Sequence, residues 1–263
     1  MLMLSKCLFG NIMTNDNFFY IFYSFTQGIT EFIPVSSSGH LNLIDFIFVS
    51  SGERNFLYET TAHFASLLAL LLYLYRNKYF AFGNIKINFF PIAIATIPAV
   101  TVGFIMISLK INIISIKVIG FASIIGGVML YFSDIKQFQK IKINSRVLKF
   151  FLAGVFQCLA FVPGFSRSAS CIIAFRLLGE ARRDSSIFSL YLGMPIVAIS
   201  FLSNLRDVDE IDFDFNLLII FIFTFIFAYL TLKLFISYIN YIGFKPFVIY
   251  RLIFGLLILT LLS

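Results

Sequence analysis

Residues 27–40 read QGITEFIPVSSSGH, and residues 157–170 read QCLAFVPGFSRSAS. Gln157 minus Gln27 is an offset of 130. The same offset carries Ser36 onto Ser166, Ser38 onto Ser168 and Ser37 onto Arg167. The chain has 263 residues, so the offset is close to half its length. Both stretches combine Pro, Gly and hydroxyls inside apolar sequence. Only the first carries Glu31 and His40, and only the second carries Arg167. A carboxylate, an imidazole and a guanidinium at membrane depth are costly to bury and point to function.

Membrane depth follows from composition. The chain is 60% hydrophobic and 13% charged, against about 45–50% and about 25% in soluble domains. Mean hydropathy is +0.95. The expected fold is an all-α integral membrane protein, one membrane domain over 1–263. Apolar runs near 56–75, 89–109, 114–132, 186–204, 215–236 and 247–262 each suit a helix crossing about 30 Å of hydrocarbon. That makes about six full spans. The two quoted stretches sit in further apolar segments, 18–50 and 148–178, broken by Pro and Gly.

Cys7, Cys158 and Cys171 have neither CxxC nor Cys/His spacing, which argues against a disulfide framework or zinc site. Cys158 and Cys171 read as small apolar packing residues. Lys6 stands alone without a following small-residue cleavage site, so no cleavable signal is expected. Met13 is a candidate start, because residues 1–12 match nothing in the second half.

The net charge of +7 is distributed against a nucleic-acid reading. Lys136, Lys140, Lys142, Arg146 and Lys149 share one connection, Arg76, Lys78 and Lys86 another, and Arg182 and Arg183 a third. Short basic connections mark the cytoplasmic face. The acidic stretch 206–214 suits the opposite face. With the basic connections inside, segment 18–50 must enter and leave outside, and segment 148–178 must enter and leave inside. Each half is then a re-entrant helix pair plus three spans, about 15–133 and about 148–263. Three is odd, so the halves form an inverted-topology repeat, with a site expected at mid-membrane between them.

The chemistry follows from residue types. Pro34 ends a helix and the serines suit the next N-cap. A helix start with hydroxyls and free N–H groups suits an anion, phosphate above all. Arg167 repeats the device with a planar fork that matches phosphate; the alternative is a structural partner to a buried carboxylate. Glu31 lies four residues after Gln27, on one helical face. Together they could hold Mg²⁺ or Ca²⁺ through oxygen, or Glu31 could act as general base. His40 is a candidate acid, base or nucleophile. Glu59 and His63, also four apart, suit either a cavity mouth or a structural pair. Asp45, Glu53 and Arg54 read as a solvated outer surface. Arg176, Glu180, Arg182 and Arg183 read as an inner anchor. The 36 Phe residues suit lipid contact and core, and would also suit a lipid-binding groove.

These two stretches resemble the undecaprenyl-diphosphate phosphatase family of the bacitracin-resistance type. The first resembles its signature [E/Q]GxTEFLPVSS[S/T]GH. Residues 163–171, PGFSRSASC, resemble PGxSRSGxT. Length, hydropathy and the inverted repeat agree over nearly the whole chain. The resemblance implies hydrolysis of undecaprenyl diphosphate to the monophosphate that carries peptidoglycan precursors, with a divalent cation, Mg²⁺ or Ca²⁺. It implies Glu31, Ser37, His40 and Arg167 as catalytic residues. It implies Ser36, Ser38, Ser166 and Ser168, with Arg167, as substrate-binding residues, and Glu31 and Gln27 as metal ligands. Gln27 stands where many members have Glu, His63 where they often have Gln, Ala169 where Gly is usual and Cys171 where Thr is usual.

The expected mechanism is metal-assisted phosphoryl transfer, with either Ser37 attacking or His40 activating water. The rival is a prenyl-phosphate transporter or flippase, since inverted repeats with broken helices are transporter architecture. A Glu/Ser/His/Arg set favours catalysis, because a carrier needs the Arg but not a nucleophile and base. The expected partner is a polyprenyl diphosphate lipid, with no nucleic acid; a homodimer is compatible with this reading. The expected location is the bacterial inner (plasma) membrane, multi-pass, with the active site facing the outer, periplasmic side.

Overall fold

Pro and Gly placement divides the chain into short broken helices and long unbroken ones. The computed structural model describes residues 16–48, 56–79, 89–111, 113–135, 143–206 and 214–262. Cys7, Met13, Glu53, Arg54, Lys86, Lys136, Lys140, Lys142 and residues 207–213 of the acidic stretch lie outside them. The first set of helices is α1 (Asp16–Thr30), α2 (Ser37–Phe48), α3 (Phe56–Arg76), α4 (Phe89–Ser108) and α5 (Ile116–Asp134). The second is α6 (Arg146–Gln157), continued by a 3₁₀ turn Cys158–Phe161, then α7 (Arg167–Leu177), α8 (Arg182–Arg206), α9 (Phe215–Ile242) and α10 (Lys245–Leu261).

Length separates two kinds of helix. α3, α4, α5, α8 and α9 are long and apolar enough to cross a bilayer. The sixth expected span is α10, whose 17 residues sit at the short end of the spanning range. α1, α2, α6 and α7 have 15, 12, 12 and 11 residues. At 1.5 Å per residue each reaches only about 16–23 Å, too short to cross alone. Each consecutive pair enters, breaks at its motif and continues as the next short helix.

The pairings repeat between the halves. α5 packs along its own counterpart α10, and α3 along its counterpart α8; α1 on α9 is matched by α6 on α4. Small residues allow the close approach. A Cβ on Gly28 would lie 2.9 Å from the Ala228 nitrogen, and one on Gly154 would collide with the Ala95 backbone. Three long helices lie between the two short pairs, so the second pair enters from the opposite face.

The core is apolar, as Phe32, Leu70, Ile172 and Phe175 show, yet it also encloses polar groups, and the outer surface is apolar too. Gln27, Ser66, Ser123, Thr224 and Arg251 are fully buried. Along α9, Leu218, Ile222, Ile226, Leu230, Leu234 and Tyr238 form an exposed stripe at every fourth position, a surface suited to lipid. Lys149, Arg176 and Arg182 form one cluster with Asp134 and Glu180. Arg176 and Arg182 both pair with Asp134, at 2.9 and 2.7 Å. Lys149 pairs with Glu180 at 2.6 Å, and Arg183 donates to the Tyr79 hydroxyl. These bonds tie α5, α6, α7 and α8 together, and they join the residues expected to form an anchor.

Candidate active site

The two motif breaks meet back to back. A Cβ on Gly39 would lie 3.2 Å from the Gly164 Cα. Gly164 itself has φ +95°, and its Cβ would lie 2.5 Å from the Ile119 carbonyl. No other residue satisfies both demands. The helix starts that follow share one unusual geometry. Ser36 has φ 80° and Ser166 has φ 76°, a left-handed conformation costing about 1–3 kcal/mol in a non-glycine residue. Serine is retained there because its hydroxyl caps the helix: Gly39 N–H donates to Ser36 Oγ and Ala169 N–H to Ser166 Oγ, both at 3.3 Å. Each cap also meets a second hydroxyl, Ser36 with Ser38 at 3.4 Å and Ser166 with Ser168 at 3.1 Å. Ser168 Oγ crosses between the halves to donate to the Ile33 carbonyl at 2.8 Å.

Glu31 joins the two motifs. Its Oε2 accepts from Ser37 Oγ at 2.7 Å and from Gln27 Nε2 at 3.1 Å. Arg167 Nη2 donates to Glu31 Oε1 at 3.1 Å and to its carbonyl at 3.2 Å. A hydroxyl donating to a carboxylate that a third group orients is the geometry of an activated nucleophile. Arg167 Nη1 is buried and has no partner. It rests against Gly193 of α8, where any Cβ would collide with the guanidinium.

These groups open into a cavity of about 610 Å³. Its polar end is formed by Glu31, the three serines of the first motif, Ser166 and Arg167. The rest of its lining is largely apolar, with Val100, Phe104, Phe161, Ile199 and Leu202, interrupted by Ser200, Ser203 and Asn204 of α8. Val100 and Phe104 of α4 and Ile199 and Leu202 of α8 are also among the exposed large apolar residues. Glu59 and His63 line this cavity too. Their side chains lie 3.7 Å apart, and His63 Nδ1 is 3.4 Å from Gln27 Nε2. Both features expected of that pair are present: it lines the cavity, and its two side chains approach each other.

His40 lies elsewhere. Its ring stacks on Phe254 at a centroid distance of 4.1 Å and lies 5.6 Å from Tyr250, both of α10. Nδ1 lies 2.6 Å from the Ser36 carbonyl and Nε2 lies 2.5 Å from the Tyr250 hydroxyl. A carbonyl only accepts, so Nδ1 carries the proton and Nε2 accepts from tyrosine. Both nitrogens are occupied and the ring does not line the cavity. In this geometry His40 braces the strained carbonyl of Ser36 rather than facing a ligand. Ser170 does the same in the second half, donating to the Ser166 carbonyl at 2.8 Å.

Among the described residues no three His, Cys, Asp or Glu side chains are grouped to hold a metal. The oxygens present nevertheless suit a hard divalent cation shared with a phosphate ligand: the Glu31 carboxylate, the Ser37 hydroxyl and Gln27 Oε1, which is buried without a partner. Cys171 is buried and donates to Gln157 Oε1 at 3.2 Å, while Cys158 bonds the Gly154 carbonyl within its helix. Gln157 Nε2 is left unpartnered, and the residue lines the cavity. Sequence reasoning missed Gly193, Tyr250 and Arg251. The signal for Arg251 was present, an ionisable residue inside the apolar run 247–262.

Comparison with known proteins agrees with this architecture. The family described as Bacitracin resistance protein BacA matches residues 20–257. The chain is 34% identical over 261 residues to the undecaprenyl-diphosphatase of Pelagibacter ubique, covering 97% of this chain and 99% of that protein. It is 32% identical to the undecaprenyl-diphosphatase of Saccharophagus degradans, covering 89% and 94% of the two chains. With that of Deinococcus deserti it shares 33% identity, covering 94% and 96%.

Proposed function

The chain belongs to the bacitracin resistance protein BacA family, and on that premise we propose how it hydrolyses undecaprenyl diphosphate to undecaprenyl phosphate and so recycles the lipid carrier. The observation that carries the assignment of roles is the Ser37–Glu31–Arg167 arrangement at the polar end of a cavity whose remaining lining is largely apolar. Such a cavity suits a ligand with a charged head and a hydrocarbon tail. The prenyl chain leaves between α4 and α8, and the diphosphate lies against the two helix starts.

Arg167 holds the phosphates with the donor that has no protein partner. Ser36, Ser38 and Ser166 present hydroxyls and helix-start N–H groups around them, while Ser168, expected among them, lies off the cavity with its hydroxyl on the Ile33 carbonyl. Ser37 Oγ attacks the terminal phosphorus as its proton passes to Glu31. The new O–P bond forms as the bridging P–O bond breaks, and undecaprenyl phosphate departs. Water then attacks the phosphoserine, inorganic phosphate leaves, and Glu31 returns its proton to Ser37. A divalent cation held by Glu31 and Gln27 would offset the charge spread over the equatorial oxygens. His40 acts from behind, through Ser36. One chain holds every residue of this site.

The site opens outward in this reading. Its wall is built from the C-terminal ends of α4 and α8 and from Glu59 near the start of α3. The basic cluster around Asp134 lies at the other ends of α5 and α8, the cytoplasmic face by the positive-inside rule. The test is phosphate release from detergent-solubilised undecaprenyl diphosphate by the wild type and by Arg167→Ala. A loss of about 10³-fold or more is expected. Near-normal turnover in the variant would remove Arg167 from the mechanism.

A further inference from the structure

Arg251 lies in α10 and is wholly buried. Its hydrogen bonds run to five main-chain carbonyls. Nε donates to Ser123 at 3.1 Å and Nη1 to Pro34 at 3.2 Å. Nη2 reaches Ala122, Gly164 and Phe165 at 3.3, 3.1 and 2.8 Å. Among the described residues no carboxylate forms an ion pair with it. Room for the guanidinium is made by Gly126 of α5, where a Cβ would collide with Nη2. A Cβ on the neighbouring Gly127 would lie 3.2 Å from the Arg251 Cβ, 3.6 Å from the Val248 carbonyl and 3.8 Å from Leu252 Cδ2, and would leave the guanidinium clear.

Burying a guanidinium without a counter-ion is costly, and nothing in the packing of α10 against α5 requires one. What it connects is informative. Pro34 belongs to the break before α2, and Gly164 and Phe165 belong to the break before α7. One rigid planar group of fixed size therefore spans both breaks. The Phe165–Ser166 peptide is planar and trans, so with its carbonyl on Arg251 the Ser166 N–H points the opposite way. Ser166 and Ser36 are the residues in left-handed conformation. Such strain persists only where surrounding contacts over-determine the backbone.

We propose that Arg251 is a positioning residue that sets the spacing of the two helix starts, so that both engage one diphosphate while Arg251 itself touches no substrate. The role deepens the phosphatase reading and rests on it. Two perturbations separate it from a simple structural role. Arg251→Lys keeps the charge and loses the fork. Gly126→Ala keeps Arg251 and displaces its tip, with Gly127→Ala as the control one residue away.

Hydrolysis per folded molecule and calorimetric binding of inorganic diphosphate are measured on all four proteins. Arg251→Lys and Gly126→Ala are expected to lower kcat by about 10²-fold, the scale of a misplacement of about 1 Å. KM for the lipid is expected to stay within about threefold, because the tail wall is untouched. Diphosphate binding weakens measurably, by no more than about the same threefold, in the same two variants, and Gly127→Ala stays near wild type. If Arg251→Lys does not fold, Gly126→Ala against Gly127→Ala decides. A folded Gly126→Ala or Arg251→Lys protein with wild-type kcat and diphosphate affinity overturns the proposal. An inactive wild type would instead refute the phosphatase reading, and the binding arm still judges Arg251.

Discussion

Replacing Gly193 by Ala should separate activity from stability. Gly193 lies within α8, and the nearest atoms to an added methyl are those of the Arg167 guanidinium. Alanine is favoured over glycine inside a helix by about 1 kcal/mol. The clash is with the tip of a long side chain, which can swing away. Unfolding is therefore expected at the wild-type temperature or a few degrees above it. The guanidinium cannot stay where it donates to Glu31 and presents its free Nη1. Hydrogen bonds to charged groups are worth about 1.5–3 kcal/mol each, and losing about 3 kcal/mol from the transition state slows turnover roughly 10²-fold. Phosphate release under saturating lipid, beside a thermal unfolding curve of the same sample, checks both halves. A Gly193→Ala enzyme with kcat within about threefold of wild type would refute the placement of Arg167 as the phosphate ligand. An equal loss of activity and folded protein would show that Gly193 matters for packing alone.

Ser37→Ala and Glu31→Gln should each reduce turnover by about 10³-fold. A phosphoenzyme trapped by acid quench should appear in the wild type and vanish in Ser37→Ala; a labelled intermediate that survives in Ser37→Ala would rule out Ser37. Gln27→Glu restores a carboxylate beside Glu31 and should tighten divalent-cation binding about tenfold in calorimetry, with unchanged affinity counting against Gln27 as a ligand. Tyr250→Phe removes the donor to His40 Nε2, leaving a buried acceptor unpaired at a cost of about 1–3 kcal/mol. Its thermal midpoint should fall by several degrees while the lipid KM holds. A lowered KM-normalised affinity with no change in midpoint would place His40 at the substrate instead.

Much of this arrangement was legible because the polar residues are so few. The offset of 130 and the Pro and Gly breaks predict two short helix pairs, and the structure has α1–α2 and α6–α7. Glu31, Ser37 and Arg167 are 136 residues apart at most in sequence and meet within 3.1 Å, as the repeat implied. Direction was harder to read. His40 sits four residues after Ser36 on α2, so its ring folds back onto the Ser36 carbonyl, and its second nitrogen is claimed by Tyr250 from the far end of the chain. No local pattern announces a partner 210 positions away. Gly193 was equally silent, since a glycine in a spanning helix means little until the arginine it accommodates is placed. Arg251 could have been found by asking why an arginine stands among Leu, Ile and Phe.

The bond between Glu31 and Arg167 also has a consequence in time. During synthesis Glu31 leaves the ribosome 136 residues ahead of its guanidinium. At about 5–20 residues per second, that interval lasts roughly 7–27 s. Through it the first half resides in the bilayer with a carboxylate, a glutamine and three serines awaiting the groups they will face. Arg251, which bonds carbonyls of both breaks, emerges 84 residues after Arg167 (251 minus 167). The two motifs therefore meet only once α7 has followed α1 and α2 into the membrane, and a chain stalled before α7 carries Glu31 and Ser37 without the guanidinium they face.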